Sequence, residues 1–284
     1  MVSTFSLVAM VVTLLICMVV PFLAVIIYAA KNKKKGVWIA WLVGAAGFFV
    51  MQIIIRTPIL SVLSLNEGFV EFANKHYIAY VAILAFTAAL FELIARVVGA
   101  SILKKKRSYE VAFGAGLGHG GIEAIVLIGM TYINNLLYSA MINTGAFDAM
   151  VESTAQMGVD ENTLKALWEV KTALIETSAG SFLLAGYERI LTMILHVAMT
   201  VLVFYFVNKK KSFLGILLCL LIHTAIDFVP GFVQGFIYGE DVYGKWGDKI
   251  SVETAYVIIY GFLTVMAVVG IIIMVSIKKK WKKA

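Results

Sequence analysis

The sequence predicts an all-α protein, a polytopic membrane helix bundle with about seven transmembrane helices. Of its 284 residues, 61% are hydrophobic and only 14% are charged, and the mean hydropathy is +0.93. Several apolar runs are long enough to cross a hydrocarbon layer of about 30 Å. The net charge of +7 comes from short basic blocks beside these runs. Such blocks are typical of topology anchors, so we expect no nucleic-acid partner.

The apolar windows and their polar flanks place seven spans along the chain. They lie at residues 4–30, 37–55, 77–103, 108–133, 181–207, 212–237 and 252–277. Lysine and arginine concentrate in every second connection and in the C-terminal tail. The positive-inside rule therefore predicts an external N-terminus and a cytoplasmic C-terminus. We expect residues 1–284 to form a single integral domain of a bacterial plasma membrane.

The longest external connection, residues 134–178, is predicted to carry an amphipathic helix. Asp160 is a good candidate to cap a helix that runs to about Glu176. The apolar residues of this helix share one broad face and are Leu164, Leu167, Trp168, Leu174 and Ile175. The pattern favours a helix that lies in the membrane interface, and a lid over a site below it is the alternative.

Four spans each carry an ionisable group at a similar distance from a basic cluster. The groups are Glu92, His119, His196 and His223, which lie 12, 12, 13 and 12 residues from Lys104, Arg107, Lys209 and Lys211. At ~1.5 Å per residue, each group lies ~18 Å from its basic anchor, near the middle of the membrane. Ionisable side chains at that depth are costly unless they pair or face water, so they are candidates for function.

Three pairs of polar residues within spans 77–237 are spaced four apart and therefore share a helical face. The pairs are Glu92 with Arg96, His119 with Glu123, and His223 with Asp227. The second pair lies in a glycine-rich run that lets a neighbouring helix approach closely. An imidazole and a carboxylate on one face can converge on one water or ion, and a carboxylate can fix the tautomer of an imidazole. Polar contacts that only hold helices together are the structural alternative.

The order of these motifs resembles the YhfC family of intramembrane metalloproteases. The succession is Glu92 with Arg96, the sequence His-Gly-Gly-Ile-Glu at residues 119–123, then His196, and then His223 with Asp227. That family is similar to the type II CAAX prenyl endopeptidases and the PrsW proteases. The resemblance covers roughly the third through sixth spans, and it implies hydrolysis of a peptide bond within or beside the membrane.

One position departs from the pattern of the wider group, whose first motif usually has two adjacent glutamates before the arginine. Here Phe91 precedes Glu92, so the glutamate expected to activate water is missing at that position. Glu123 shares a helical face with His119. We therefore expect Glu123 to take the role of general base.

The resemblance leads us to predict an endopeptidase that acts on a membrane-associated protein or peptide. The predicted site consists of the base Glu123, a metal or oxyanion site of His119, His196 and His223, an orienting Asp227, and a polar shell of Glu92 and Arg96. In a metal-dependent version, zinc or another divalent ion would take the three histidines and leave one position for water. In a metal-free version, the same histidines would donate hydrogen bonds to the oxyanion.

Two other classes of protein use the same residue types. A transporter or channel would use the histidines and carboxylates of the membrane midplane to relay protons or to bind a cation. A third possibility is a non-catalytic scaffold that retains the fold, and the departure at Phe91 adds weight to it. The expected partners are membrane lipid and a membrane-associated peptide or protein substrate. The sequence does not determine the oligomeric state.

Overall fold

The computed structural model describes residues 1–33, 36–237 and 250–281. These residues form helices and connecting turns, without a strand among them. The helices are α1 (Thr4–Lys31), α2 (Val37–Phe48), α3 (Thr57–Leu63), α4 (Glu67–Lys75), α5 (Tyr77–Ile102), α6 (Tyr109–Glu123), α7 (Met130–Thr144), α8 (Ala146–Gln156), α9 (Glu161–Glu176), α10 (Ala179–Asn208), α11 (Ser212–Gln234) and α12 (Val252–Trp281). Two π-helical segments, Phe49–Arg56 and Ala124–Gly129, join α2 to α3 and α6 to α7.

Seven candidate membrane spans occur in the described residues, and they confirm the predicted all-α class and span number. They are Thr4–Lys31, Val37–Leu63, Tyr77–Ile102, Tyr109–Thr144, Ala179–Asn208, Phe213–Gln234 and Val252–Trp281. Length and composition do not fix the direction of the chain across the membrane. The external N-terminus and the cytoplasmic C-terminus therefore stay predictions.

The second span is longer than the predicted range 37–55. It continues through Arg56 and Pro58 to Leu63. Arg56 does not end the helix because its guanidinium finds partners on α5, where it donates to the Leu84 carbonyl at 2.8 Å and to Thr87 Oγ1 at 3.3 Å. Arg56, which lies just beyond the predicted end of this span at residue 55, is thus a helical residue of the span.

The fourth span is also longer than predicted, because helix continues past residue 133 to Thr144. The first part of the predicted connection 134–178 is therefore the end of α7. This helix ends at Gly145, which adopts the left-handed conformation with φ of 80° and donates its N–H to the Ile142 carbonyl. Glycine is favoured at this position because it has no Cβ atom, which would make the left-handed conformation unfavourable.

The chain divides into two compact units by its contacts. Unit 1 consists of Met1–Phe22 and Ala124–Ile190. Its core includes the buried side chains of Met10, Phe147 and Phe182.

Helix α9 of unit 1 has the boundaries that the sequence predicts. Asp160 caps it by accepting a hydrogen bond from the Thr163 N–H at 3.0 Å. Leu174 is buried in the core of unit 1, and Leu164 and Leu167 pack against it, which accounts for part of the predicted apolar face. The interfacial and lid interpretations of this helix both stay predictions.

Unit 2 consists of Leu23–Glu123 and Leu191–Ala284, as far as these residues are described. Within it α2 packs along α6, and α5 packs against α11. The α2–α6 contact is so close that a Cβ atom on Gly118 would lie 1.9 Å from the Trp41 carbonyl oxygen. All seven predicted site residues belong to this unit.

Candidate functional site

The site residues come from four helices of unit 2. Glu92 and Arg96 lie on α5, His119 and Glu123 on α6, His196 on α10, and His223 and Asp227 on α11. Six of them are buried, and the Asp227 side chain is 33% exposed. The structure therefore brings together all seven residues that the sequence singled out, with Asp227 at the edge.

Glycines in α6 allow α10 to approach the site closely. A Cβ atom on Gly120 would lie 3.0 Å from the Cβ atom of His196 and 3.1 Å from the Cα atom of Met193. The absence of a side chain at this position thus lets His196 reach the imidazole of His119, and the two ring centroids lie 5.1 Å apart. The prediction that small residues in this run bring another helix against His119 is confirmed.

Glu92 is at the centre of the site. Its Oε2 atom lies 2.9 Å from His119 Nε2, 3.4 Å from His196 Nδ1 and 3.6 Å from His223 Nε2. One carboxylate oxygen therefore faces all three imidazoles. The sequence assigned Glu92 to the surrounding polar shell, because spacing along a helix does not show which of two carboxylates points inward.

Arg96 supplies the positive charge of this centre. Its Nη2 atom donates to Glu92 Oε2 at 3.0 Å and lies 2.8 Å from His196 Nδ1 and 3.5 Å from His119 Nε2. Two carboxylates buried in one site repel each other, which makes their burial unfavourable. A nearby guanidinium reduces this free-energy cost through its positive charge. Arg96 is therefore part of the centre itself.

The guanidinium also sets the proton positions on two imidazoles, because arginine only donates hydrogen bonds. Arg96 Nη2 faces His196 Nδ1, so Nδ1 accepts and the ring proton of neutral His196 is on Nε2. That nitrogen lies 2.5 Å from Glu123 Oε2. Likewise, Arg96 Nη1 lies 3.4 Å from His223 Nδ1, and His223 Nε2 lies 3.4 Å from Asp227 Oδ2.

Two residues at the site were not predicted from the sequence. Gln52 Nε2 donates to Glu92 Oε1 at 3.0 Å, and Arg56 Nη1 donates to Gln52 Oε1 at 3.3 Å. Both residues belong to the π-helical segment Phe49–Arg56. Gln52 was missed because a search for ionisable groups does not include a neutral amide. Arg56 was missed because the predicted span ended at residue 55.

Four side chains form a buried group whose ligand atoms all lie within 4.8 Å of one another: Glu92, His119, Glu123 and His196. Imidazole and carboxylate are donors that zinc takes in proteins, so this set fits a divalent ion by type and number. It differs from the predicted three-histidine set, since both glutamates belong to it and His223 does not. His223 instead faces Arg96 with one ring nitrogen and Asp227 with the other.

The fold and the site define an integral membrane protein with a buried histidine–glutamate centre. Residues 16–242 match the family described as YhfC intramembrane metalloprotease, and the chain belongs to this family. A relative from Bacillus subtilis (strain 168), described as "Uncharacterized membrane protein YhfC", is 27% identical over 199 residues, which are 69% of this chain and 74% of the relative. No solved structure matches the chain.

Proposed function

We propose that the protein is an intramembrane endopeptidase that hydrolyses a peptide bond of a membrane-associated protein or peptide. The observation that carries this proposal is the buried group of two carboxylates and two imidazoles around one guanidinium. Peptide hydrolysis needs a base for water and donors for the oxyanion, and this group contains both kinds of residue. The description of the family supports the same reaction.

Glu123 is the general base in this proposal. Both oxygens of Glu92 accept hydrogen bonds, Oε1 from Gln52 and Oε2 from Arg96, so both are already occupied by donors. Glu123 Oε2 lies 2.5 Å from His196 Nε2, so this carboxylate borders the group of imidazoles. Glu123 takes the proton of the attacking water and returns it to the leaving nitrogen, which balances the reaction.

Glu92, His119 and His196 would hold a divalent ion, with zinc the candidate by ligand type. Two histidines and one glutamate form a ligand set of catalytic zinc sites, and this choice leaves Glu123 as the base. When bound, the ion would polarise the peptide carbonyl and activate water. Arg96 contacts the same three side chains, so a change in the position of its guanidinium would change the affinity of these ligands for an ion.

A metal-free version uses the same side chains of this chain differently. Arg96 and the imidazoles donate hydrogen bonds to the oxyanion, and Asp227 orients His223 through the 3.4 Å contact with Nε2. Glu123 keeps the role of base. The two versions differ in one measurable property, which is whether a chelator stops the reaction.

The substrate class follows from the location of the site within membrane spans. Every predicted site residue lies in a helix that is long and apolar enough to cross the membrane. A peptide bond that reaches these residues comes from the lipid phase or from a segment that enters from the interface. The proposed substrate is therefore a membrane-associated peptide in contact with lipid.

The experiment that tests this function is a cleavage assay with purified protein in proteoliposomes and a library of membrane-associated peptides. The wild-type protein and Glu123→Gln are compared, each with and without a chelator, and Glu161→Gln serves as a matched control on α9. We expect cleavage by the wild type and by the control and none by Glu123→Gln. Equal cleavage by Glu123→Gln would exclude Glu123 as the base and direct attention to Glu92.

A proton- or cation-coupled transporter is the second candidate function. The observation that favours it is the continuous series of contacts from Glu123 through His196, Glu92 and His223 to Asp227. Such series of carboxylates and histidines relay protons in membrane proteins. The same proteoliposomes distinguish the two functions, because ion flux that needs these histidines, without cleavage, would establish the transporter.

A further inference from the structure

Gln52 is a buried amide whose hydrogen-bonding groups all have partners. Its side chain is 6% exposed, its Nε2 atom donates to Glu92 Oε1 at 3.0 Å and to the Ala88 carbonyl at 3.1 Å, and its Oε1 atom accepts from Arg56. Both amide protons are therefore used on α5, and the oxygen is used within its own helix. A side chain with all its bonds satisfied is held in one orientation.

The orientation of this amide follows from the nature of its neighbours. Arg56 only donates hydrogen bonds, so the atom that faces it at 3.3 Å must be the oxygen of Gln52. The amide nitrogen must then face Glu92, which as a carboxylate only accepts. The two ionic neighbours remove the usual ambiguity between the oxygen and nitrogen of an amide.

Arg56 is itself fixed by α5, since it donates to the Leu84 carbonyl at 2.8 Å and to Thr87 Oγ1 at 3.3 Å. The series of hydrogen bonds from the Leu84 carbonyl through Arg56 and Gln52 to Glu92 thus starts and ends on α5. One oxygen of Glu92 is committed to Gln52, and the other is left to face the imidazoles and Arg96.

A second residue of the same helical face also contacts the centre. The Phe48 ring packs edge-on against His119, with centroids 5.2 Å apart, and Gln52 follows Phe48 by four residues, within the π-helical segment. The wider turn of a π-helix shifts the residues that follow it, and such turns often occur at functional sites. The second span therefore supports both a histidine and the central glutamate.

We propose that Gln52 is a positioning residue that holds Glu92 by one carboxylate oxygen, and that Arg56 fixes the direction of the amide. Its effect on catalysis or ion binding rests on the proposed function, whereas its hydrogen bond to Glu92 does not. Partners of this kind tune a ligand by fixing its orientation, and their loss commonly weakens metal affinity about 10- to 100-fold.

The hydrogen bond is tested with isosteric exchanges of amide and carboxylate, measured by thermal unfolding in detergent. Gln52→Glu would place two carboxylates against each other, so we expect a lower melting temperature. The double variant Gln52→Glu with Glu92→Gln restores one donor and one acceptor across the pair and should recover much of that loss. Gln156→Glu, at an exposed glutamine of α8, is the matched control and should melt like the wild type.

Two results of this cycle would overturn the proposal. One is additivity: the double variant loses as much melting temperature as the two single variants lose together. The other is a Gln52→Glu variant that melts like Gln156→Glu. Because no substrate or ion enters this measurement, it remains decisive even if the protein proves to be no protease.

The positioning effect is tested with Gln52→Met, which keeps the side-chain volume and removes the amide with its NH2 donor and its oxygen acceptor. Zinc affinity, measured by calorimetric titration of the purified full-length protein, should fall about 10- to 100-fold, while Gln156→Met keeps wild-type affinity. Unchanged affinity in a folded Gln52→Met protein would refute a positioning role. Absence of zinc binding to the wild type would instead contradict the metal-dependent form of the proposed function.

Discussion

The close contact between α2 and α6 predicts that Gly118→Ala distorts the site although it adds only one methyl group. The new Cβ atom would lie 1.9 Å from the Trp41 carbonyl oxygen and 2.7 Å from its carbonyl carbon. Non-bonded heavy atoms prefer separations of 3.5 Å or more, so the helices would have to separate by roughly 1.5 Å. Overpacking of this kind typically costs about 1–3 kcal/mol, and a displacement of about 1 Å at a catalytic group can cost ~100-fold in rate.

Thermal unfolding in detergent and peptide cleavage are the two assays for this variant. Gly261→Ala on α12 is the matched control, because a Cβ atom there meets nothing within 4 Å. The control gains helix propensity and should melt at or slightly above the wild-type temperature. Gly118→Ala should melt lower and cleave more slowly, because the residue next to Gly118 is His119. Identical melting of the two variants would refute the close approach of α2 and α6.

Three further outcomes are expected. His223→Ala should abolish cleavage because the imidazole that Arg96 and Asp227 orient is lost, whereas His76→Ala, at an exposed position between α4 and α5, should retain activity in the same assay. The hydroxyl and N–H of Thr163 hold the pKa of Asp160 below its usual value, so the stability that this cap gives to α9 is present above that usual value and is lost as pH falls through the lowered one. The protection factors of the α9 amides against hydrogen exchange, corrected for the intrinsic rate at each pH, should therefore fall at acid pH in the wild type and not in Asp160→Asn. A reporter fused after Lys283 should be cytoplasmic and one near Asp160 external, and the opposite labelling would reverse the predicted topology.

The membrane fold was predictable because the length of each apolar run can be read directly from the sequence. The predicted spans agree with the observed helices within a few residues at most ends. The two large differences are at Arg56 and after residue 133, where polar residues seemed to end a span. In the structure Arg56 is bonded to α5, which no local pattern could show, and α7 continues to Gly145.

The convergence of the histidines was predictable from their equal distances to the basic clusters, since each helix rises by a constant amount per residue. The direction of each side chain was not, because it depends on how each helix is rotated. Glu92 therefore proved central where the sequence placed it in the shell. Gln52 was missed because an amide has no charge and because a π-helical turn cannot be inferred from hydropathy.

The most direct test of the proposed reaction is peptide cleavage by the reconstituted protein in water enriched in heavy oxygen. Hydrolysis places one oxygen atom from water in the new carboxyl terminus, so mass spectrometry of the fragments identifies the reaction. We expect labelled fragments from the wild type and none from Glu123→Gln of equal folded content. Unlabelled fragments, or equal labelling by both proteins, would contradict hydrolysis by a Glu123-activated water at this site.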